Sequence, residues 1–317
     1  MAVVPVTRSW LMPAGRFAPT PSGDLHLGNL RTALAAWLFA RSSNSAFYLR
    51  IDDLVPDSDR PGVASRQLDD LRTLGLDWDG AAFHQRDNVL AYHDAIDQLI
   101  ENGLTYRCYC TRREIQEAAS APQGLAPQGA YPGTCRELSA SDCANLEQSG
   151  RQPALRLRAN SELVSVVDRL CGVVEVSVDD MVLRRNDGVP AYNLAVIVDD
   201  AMQSVEEVVR GDDLLASTPR QVYLARLLGL AEPIFAHVPL ALAQDGTRLA
   251  KRNGAVTLSD RMALGESPNQ VLGHLAASLH LAEPGESASP KTLLERFDPA
   301  TLPSDPWIVD LQSLRLT

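Results

Sequence analysis

The feature that most constrains this chain is a strand, helix, strand unit near its start. Ala14 to Ala18 and Ala46 to Ile51 read as short strands, and Gly28 to Arg41 between them carries apolar residues at helical spacing. Two strands joined by a helix lie parallel in one sheet, with the helix packed on its face. Helical patterns at Val63 to Leu74 and Val89 to Asn102, then strands near Thr105 to Tyr109 and Ala191 to Val198, extend the alternation. The predicted fold class is therefore α/β, with a Rossmann-like parallel sheet. At 317 residues, 45% of them hydrophobic, the chain can bury one large core and a small appendage.

Ala118 to Gly133 breaks the alternation with Ala, Pro, Gly and Gln, and reads as a looped insertion. Val164 to Val182 offers β-branched runs broken by Gly172, the pattern of a hairpin or small antiparallel patch. After about Asn253 the helical patterns weaken, and Pro284 to Pro290 reads as a linker to a short C-terminal tail. The expected division is 14–107 and 186–258 for the two halves of the core, 108–185 for an insertion, and 259–317 for a short C-terminal helical segment.

Charge and cysteines narrow the function. A net charge of −11 argues against non-specific coating of nucleic acid, which needs Lys and Arg to displace counterions from phosphates. Arg112, Arg113, Arg136, Arg151, Arg156, Arg158, Arg184 and Arg185 form either a local basic groove or a solvated face balanced by acids. Neither a secretory signal at Met1 to Pro13 nor a membrane-length apolar run is present, so a soluble, cytoplasmic protein is expected. Five cysteines with one Cys-x-Cys pair suit a reducing compartment better than a disulfide framework. Cys108, Cys110 and Cys135 with Tyr131 could close a tetrahedral site or be buried free thiols.

Between the first strand and the first helix runs Arg16-Phe17-Ala18-Pro19-Thr20-Pro21-Ser22-Gly23-Asp24-Leu25-His26-Leu27-Gly28-Asn29. A nucleotide suits this place, since the helix start offers unpaired N–H groups and the positive dipole end, and Gly28 permits close approach. His26 could donate to a phosphate oxygen, though a lone histidine there would more often be a cap. Late in the core, a strand over Phe235 to Leu242 would deliver the loop Arg248-Leu249-Ala250-Lys251-Arg252. Lys251 is notable because only Lys251 and Lys291 are lysines, against 27 arginines. A compact ammonium in an arginine background suggests a specific demand.

These motifs resemble the two signatures of class I aminoacyl-tRNA synthetases in the glutamyl branch, and the chain is most similar to the shortened glutamyl-queuosine tRNA(Asp) synthetase family. The resemblance runs from about Arg16 to Arg252 and implies ATP contacts by His26, Gly28, Asn29 and Lys251, with His26 and Lys251 catalytic. It implies glutamate contacts by Arg16, Ala18, Ser22, Asp52, Tyr192 and Arg210, and a structural zinc on Cys108, Cys110, Tyr131 and Cys135. Asp52 stands where the branch carries glutamate, one methylene longer, so Asp53 competes for its role. The family's activity would be tRNA-independent formation of glutamyl-adenylate from ATP, Mg²⁺ and glutamate, then transfer to queuosine in the anticodon of tRNA(Asp), by a monomer with no anticodon-binding domain. The alternatives are a truncated enzyme charging a tRNA acceptor end and a catalytically silent binding paralogue.

Overall fold

A computed structural model describes residues 13–55, 60–119, 131–249 and 256–310. The chain opens with β1 (Ala14–Phe17), α1 (Leu27–Ser42), β2 (Ala46–Ile51), α2 (Val63–Thr73), β3 (Phe83–His84) and α3 (Val89–Glu101). Then come β4 (Thr105–Cys108), α4 (Arg112–Ala119), α5 (Ala140–Gln148), β5 (Ala154–Leu157), β6 (Leu163–Asp168), β7 (Gly172–Ser177) and β8 (Val182–Arg184). The second half is α6 (Tyr192–Met202), β9 (Val205–Gly211), α7 (Thr218–Leu228), β10 (Ile234–Val238) and β11 (Ala241–Leu242). It closes with α8 (Leu258–Ala263), α9 (Pro268–Ala277), α10 (Pro290–Arg296) and β12 (Trp307–Ile308).

Seven strands form the main sheet in the order β3-β2-β1-β9-β10-β6-β7, parallel throughout except for the antiparallel β6–β7 pair. The order runs outward from β1 in one direction through β2 and β3, and in the other through β9 and β10. This reversal makes the carboxyl ends of β1 and β9 a topological switch point, where an open α/β sheet leaves a crevice. Helix α1 is apolar on nearly every face because it is covered twice: the sheet lies on one side and the C-terminal helices on the other.

Three sequence expectations change. Ala191 to Val198 is not a strand but the start of helix α6, which lies against α3, α7 and β9. A short buried apolar run has no periodicity to distinguish the two, and here packing on several sides chose the helix. Thr105 to Cys108 is a strand, but it pairs with β5, which in turn pairs with β8, in a separate antiparallel sheet. Pro284 to Pro290 is no linker to a tail: within the expected C-terminal helical segment Val271, Leu272, Leu275, Leu279, Leu281, Ala288 and Leu293 complete the core over α1, and Phe297 meets Phe39 edge-on at 5.2 Å. Gly273 allows this packing, since a Cβ there would stand 1.8 Å from the Glu286 carbonyl oxygen.

The hairpin expected across Gly172 is present as β6–β7, on the edge of the main sheet. Among the described residues no helix is long and apolar enough to cross a membrane.

Candidate active site

Residues expected at the nucleotide end are built on the first turn of α1. His26 caps the helix: its Nδ1 accepts from the Asn29 N–H at 3.2 Å, while Asn29 Oδ1 accepts from the His26 N–H at 3.2 Å. Burial lowers the affinity of His26 for a second proton, outweighing its backbone hydrogen bond. With Nδ1 accepting, the neutral ring carries its proton on Nε2, a donor suited to a phosphate oxygen. Gly28 has a local reason: a Cβ there would stand 3.0 Å from the His26 ring and 3.1 Å from the Ala241 side chain. Glycine thus keeps the histidine seated and the helix end open.

The late loop returns to this place. Leu249 is buried, Arg248 pairs with Asp213 at 2.9 Å, and beyond the loop the Leu27 N–H donates to the Val256 carbonyl at 2.7 Å. Thr257 bridges to His26 and caps α8. Both flanks of the 250–255 segment are therefore tied to the site side of the sheet, one of them to the start of α1. Ala250, Lys251 and Arg252 themselves lie outside the described residues.

The residues expected at the amino-acid end gather at the carboxyl ends of β1, β2 and β9. Arg16 reaches from β1 to Asp200 through Nε at 3.1 Å and Nη2 at 3.4 Å. Arg50, fully buried on β2, donates to Asp52 at 2.8 Å and to Asp200 at 2.5 Å, and lies 3.7 Å from Asp199. Its Nη2 is buried with no hydrogen-bond partner among the described residues. Burial raises the Asp52 carboxyl to about 6 against the pull of Arg50 and Arg16. The same burial is overcome at Asp200, which Arg16 and Arg50 together hold below the ordinary carboxylate range.

Arg210, from β9, is different. It is 6% exposed, yet its partners are neutral: Nε donates to His237 Nε2 at 3.0 Å, and Nη2 to Thr218 Oγ1 at 2.9 Å and Gln221 Oε1 at 2.8 Å. Tyr192, at the start of α6 and 42% exposed, has its hydroxyl among Arg210, Asp52, Arg16 and Arg50. Tyr192 thus feels both Arg210, whose direct partners are neutral, and the Arg16, Arg50 and Asp52 group.

Arg16, Asp52, Tyr192 and Arg210, singled out in the sequence, come together here. Ala18 is half-buried in the loop after β1 and Ser22 is exposed on the following turn. Asp53 does not compete with Asp52: it accepts from the Arg86 N–H at 3.0 Å and faces His84 Nδ1 at 2.6 Å. Arg50, Asp199, Asp200 and His237 are the residues that sequence reasoning missed. The acidic pair ending the apolar run of α6 was the available signal for two of them.

The cysteine cluster lies in the small sheet. Cys108, Cys110 and Cys135 place their sulfurs within 4.8 Å of one another, with Cys110 and Cys135 at 3.4 Å. Three sulfurs around a tetrahedral ion at about 2.3 Å would stand somewhat under 4 Å apart, so the set fits a metal. The Tyr131 hydroxyl lies 3.3 Å from Cys108 and 3.6 Å from Cys110, and accepts from the Cys135 N–H at 2.9 Å. Burial would push the Cys108 thiol up, but hydrogen bonds from Tyr131 and Arg156 and the Arg156 charge bring it below its usual value. The Arg156 guanidinium also stacks 3.7 Å above the Tyr131 ring. Much of the arginine set suspected of forming a groove is paired with acids, among them Arg136 with Asp180, Arg151 with Glu114 and Arg158 with Glu137.

A switch-point pocket with a histidine-capped helix start and a two-signed amino-acid end defines a class, and comparison with known proteins gives the same one. Residues 14–310 match the family of tRNA synthetases class I (E and Q), catalytic domain. The chain belongs to this family and, within it, to the glutamyl-Q tRNA(Asp) synthetases. It is 61% identical over 296 residues to the glutamyl-Q tRNA(Asp) synthetase of Nocardia farcinica (strain IFM 10152), covering 93% of each chain. Against the Symbiobacterium thermophilum namesake the identity is 46%, over 96% of this chain and 98% of the other. Glutamate--tRNA ligase 1 of Halorhodospira halophila is 38% identical, over 95% of this chain and 65% of its own length. In fold, the chain resembles a glutamate tRNA ligase from Elizabethkingia meningosepticum, with a TM-score of 0.80 at 24% identity over 96% of this chain and 68% of that one.

Proposed function

We propose that this protein activates glutamate with ATP and Mg²⁺ as glutamyl-adenylate, without tRNA, and transfers the glutamyl group to queuosine in the anticodon of tRNA(Asp). One observation carries the amino-acid choice: Arg210 is a buried guanidinium with only neutral direct partners, facing an aspartate-rich end across Tyr192. A substrate with a side-chain carboxylate at one end and an ammonium at the other satisfies both. The names of the two most similar relatives above support the acceptor.

No side-chain nucleophile is required. A glutamate carboxylate oxygen attacks the α-phosphorus of ATP, forming the mixed anhydride as pyrophosphate leaves. His26 donates from Nε2 to a phosphate oxygen, and Lys251, from the sequence motif, neutralises charge on the departing group. Arg210 binds a substrate carboxylate, and Asp52, ionised above about pH 6, receives the ammonium. A queuosine hydroxyl then attacks the anhydride carbonyl, and AMP leaves. Cys108, Cys110, Cys135 and Tyr131 would hold a zinc ion, which would fix the insertion without entering the reaction. The working division is 14–107, 108–185, 186–258 and 259–317, with β6 and β7 of the second stretch joining the main sheet.

Labelled glutamate offered with ATP and tRNA(Asp), with and without queuosine, tests this reading. Queuosine-dependent label that survives removal of the terminal adenosine is expected. Label lost with that adenosine would make the protein a charging enzyme instead.

A further inference from the structure

Behind Arg210 lies a chain of buried groups that the activation chemistry does not touch. Three adjacent strands supply it: Arg210 on β9, His237 directly beside it on β10, and Asp168 at the end of β6. His237 and Asp168 are 0% and 3% exposed. Asp168 Oδ1 accepts from the backbone N–H groups of Leu170 and Cys171 at 2.9 Å and of His237 at 3.2 Å, which leaves Oδ2 to face His237 Nδ1 at 2.6 Å.

Donor counting fixes the state of the ring. Arg210 Nε carries a hydrogen and cannot accept, so His237 Nε2, 3.0 Å from it and 3.2 Å from the Thr218 hydroxyl, presents its lone pair to the guanidinium. The proton of a neutral imidazole then sits on Nδ1, where Asp168 accepts it. Burial disfavours the doubly protonated ring, more strongly than Asp168 favours it. On the far side Gln221 gives Oε1 to Arg210 Nη2 and Nε2 to Asn193 Oδ1 at 3.0 Å, so its amide is also oriented.

The arrangement holds Arg210 without neutralising it by direct contact. An aspartate touching Arg210, as Asp200 touches Arg16, would occupy donors that a substrate carboxylate needs. Here the carboxylate stands one imidazole away.

We infer that Asp168 and His237 are positioning residues for substrate recognition: Asp168 holds His237 in the tautomer whose Nε2 aims Arg210 at a carboxylate of the amino-acid substrate. The inference rests on the proposed role of Arg210. A role in folding alone would not raise the KM for glutamate selectively over that for ATP.

The test is glutamate-dependent ATP–pyrophosphate exchange by the full chain. In Asp168→Asn an amide N–H facing Nδ1 drives the ring proton to Nε2, against Arg210 Nε–H. We expect the KM for glutamate to rise at least about tenfold while the KM for ATP stays within about twofold. His237→Gln, which retains one acceptor and one donor, should stay within about threefold of the unaltered protein, and His237→Leu should match or exceed the Asp168→Asn defect. Nitrogen NMR should place the His237 proton on Nδ1 in the unaltered protein and on Nε2 in Asp168→Asn.

An unchanged glutamate KM in both Asp168→Asn and His237→Leu would overturn the inference, as would equal rises in the KM for glutamate and ATP. If Asp168→Asn does not fold, the contrast between His237→Gln and His237→Leu decides it, and equal behaviour of the two counts against. Failure of the underlying reading looks different. The unaltered protein would give no glutamate-dependent exchange, or Arg210→Ala would leave that exchange intact.

Discussion

The two sides of the switch point handle buried arginines in opposite ways. On the β1–β2 side, Arg16 and Arg50 are tied to Asp52, Asp199 and Asp200. On the β9–β10–β6 side, Arg210 touches a histidine, a threonine and a glutamine, and the nearest carboxylate on that relay stands behind the histidine. A guanidinium saturated by carboxylates secures the fold and organises the acidic end of a pocket. One held by neutral acceptors keeps its charge available to a ligand. On the proposed reading the same residue type serves architecture on one side of the crevice and recognition on the other, and partner chemistry separates the roles.

The largest effect that would break this contrast is at Arg50. Arg50→Ala leaves Asp52, Asp199 and Asp200 crowded in a buried site, and we expect a loss of about 3–5 kcal/mol in urea denaturation. A smaller loss would mean that this side is not architectural. Next is the cysteine cluster, which lies apart from both sides. Metal removal by a chelator, or Cys135→Ser, should abolish bound metal and lower hydrogen-exchange protection in β4, β5 and β8. Glutamate-dependent pyrophosphate exchange should stay within about twofold, as for a structural site.

The acidic end sharpens the comparison through pH. Asp52 is raised from an ordinary 3.8 to about 6 in the folded state. A raised carboxyl favours the fold while protonated, so that contribution is lost as pH rises from about 4 to about 6. Recognition runs the other way, because an ammonium needs the ionised form. The glutamate KM should rise as pH falls through 6, about tenfold between pH 7 and pH 5. Asp70 is also raised to about 6, by burial and by Asp24 and Asp69. Asp70→Asn should therefore change the stability profile alone, whereas Asp52→Asn should flatten the pH dependence of KM. The smallest effect is expected at the exposed Arg226–Glu232 pair, 2.8 Å apart. Arg226→Ala should cost less than about 1 kcal/mol and leave exchange unchanged.

Much of this was legible in the sequence where the physics is local. The first strand, helix, strand unit follows from periodicity, and the turn at His26 from the needs of a helix start. The cysteine spacing led to three sulfurs that do converge. What was not legible depends on strands meeting far apart in sequence. Asp168 and His237 belong to no motif, and only the β6–β10 pairing brings them together. Ala191 to Val198 misled because buried helices and buried strands share an apolar run. The C-terminal helices did carry a readable signal: Ser267-Pro268-Asn269-Gln270 is a capping box with proline at the first turn. Their short lengths blur the periodicity, so a short C-terminal helical segment was legible but not its packing over α1.

The central claim is that Arg210 is the reserved cation of the pocket. Pyrophosphate exchange driven by glutamate and by glutamine, in the unaltered protein and in Arg210→Ala without tRNA, tests it most directly. We expect strong exchange with glutamate, little with glutamine, and a loss of about 100-fold or more in kcat/KM for glutamate in the variant. Equal exchange with both amino acids, or a variant as active as the unaltered protein, would contradict the account.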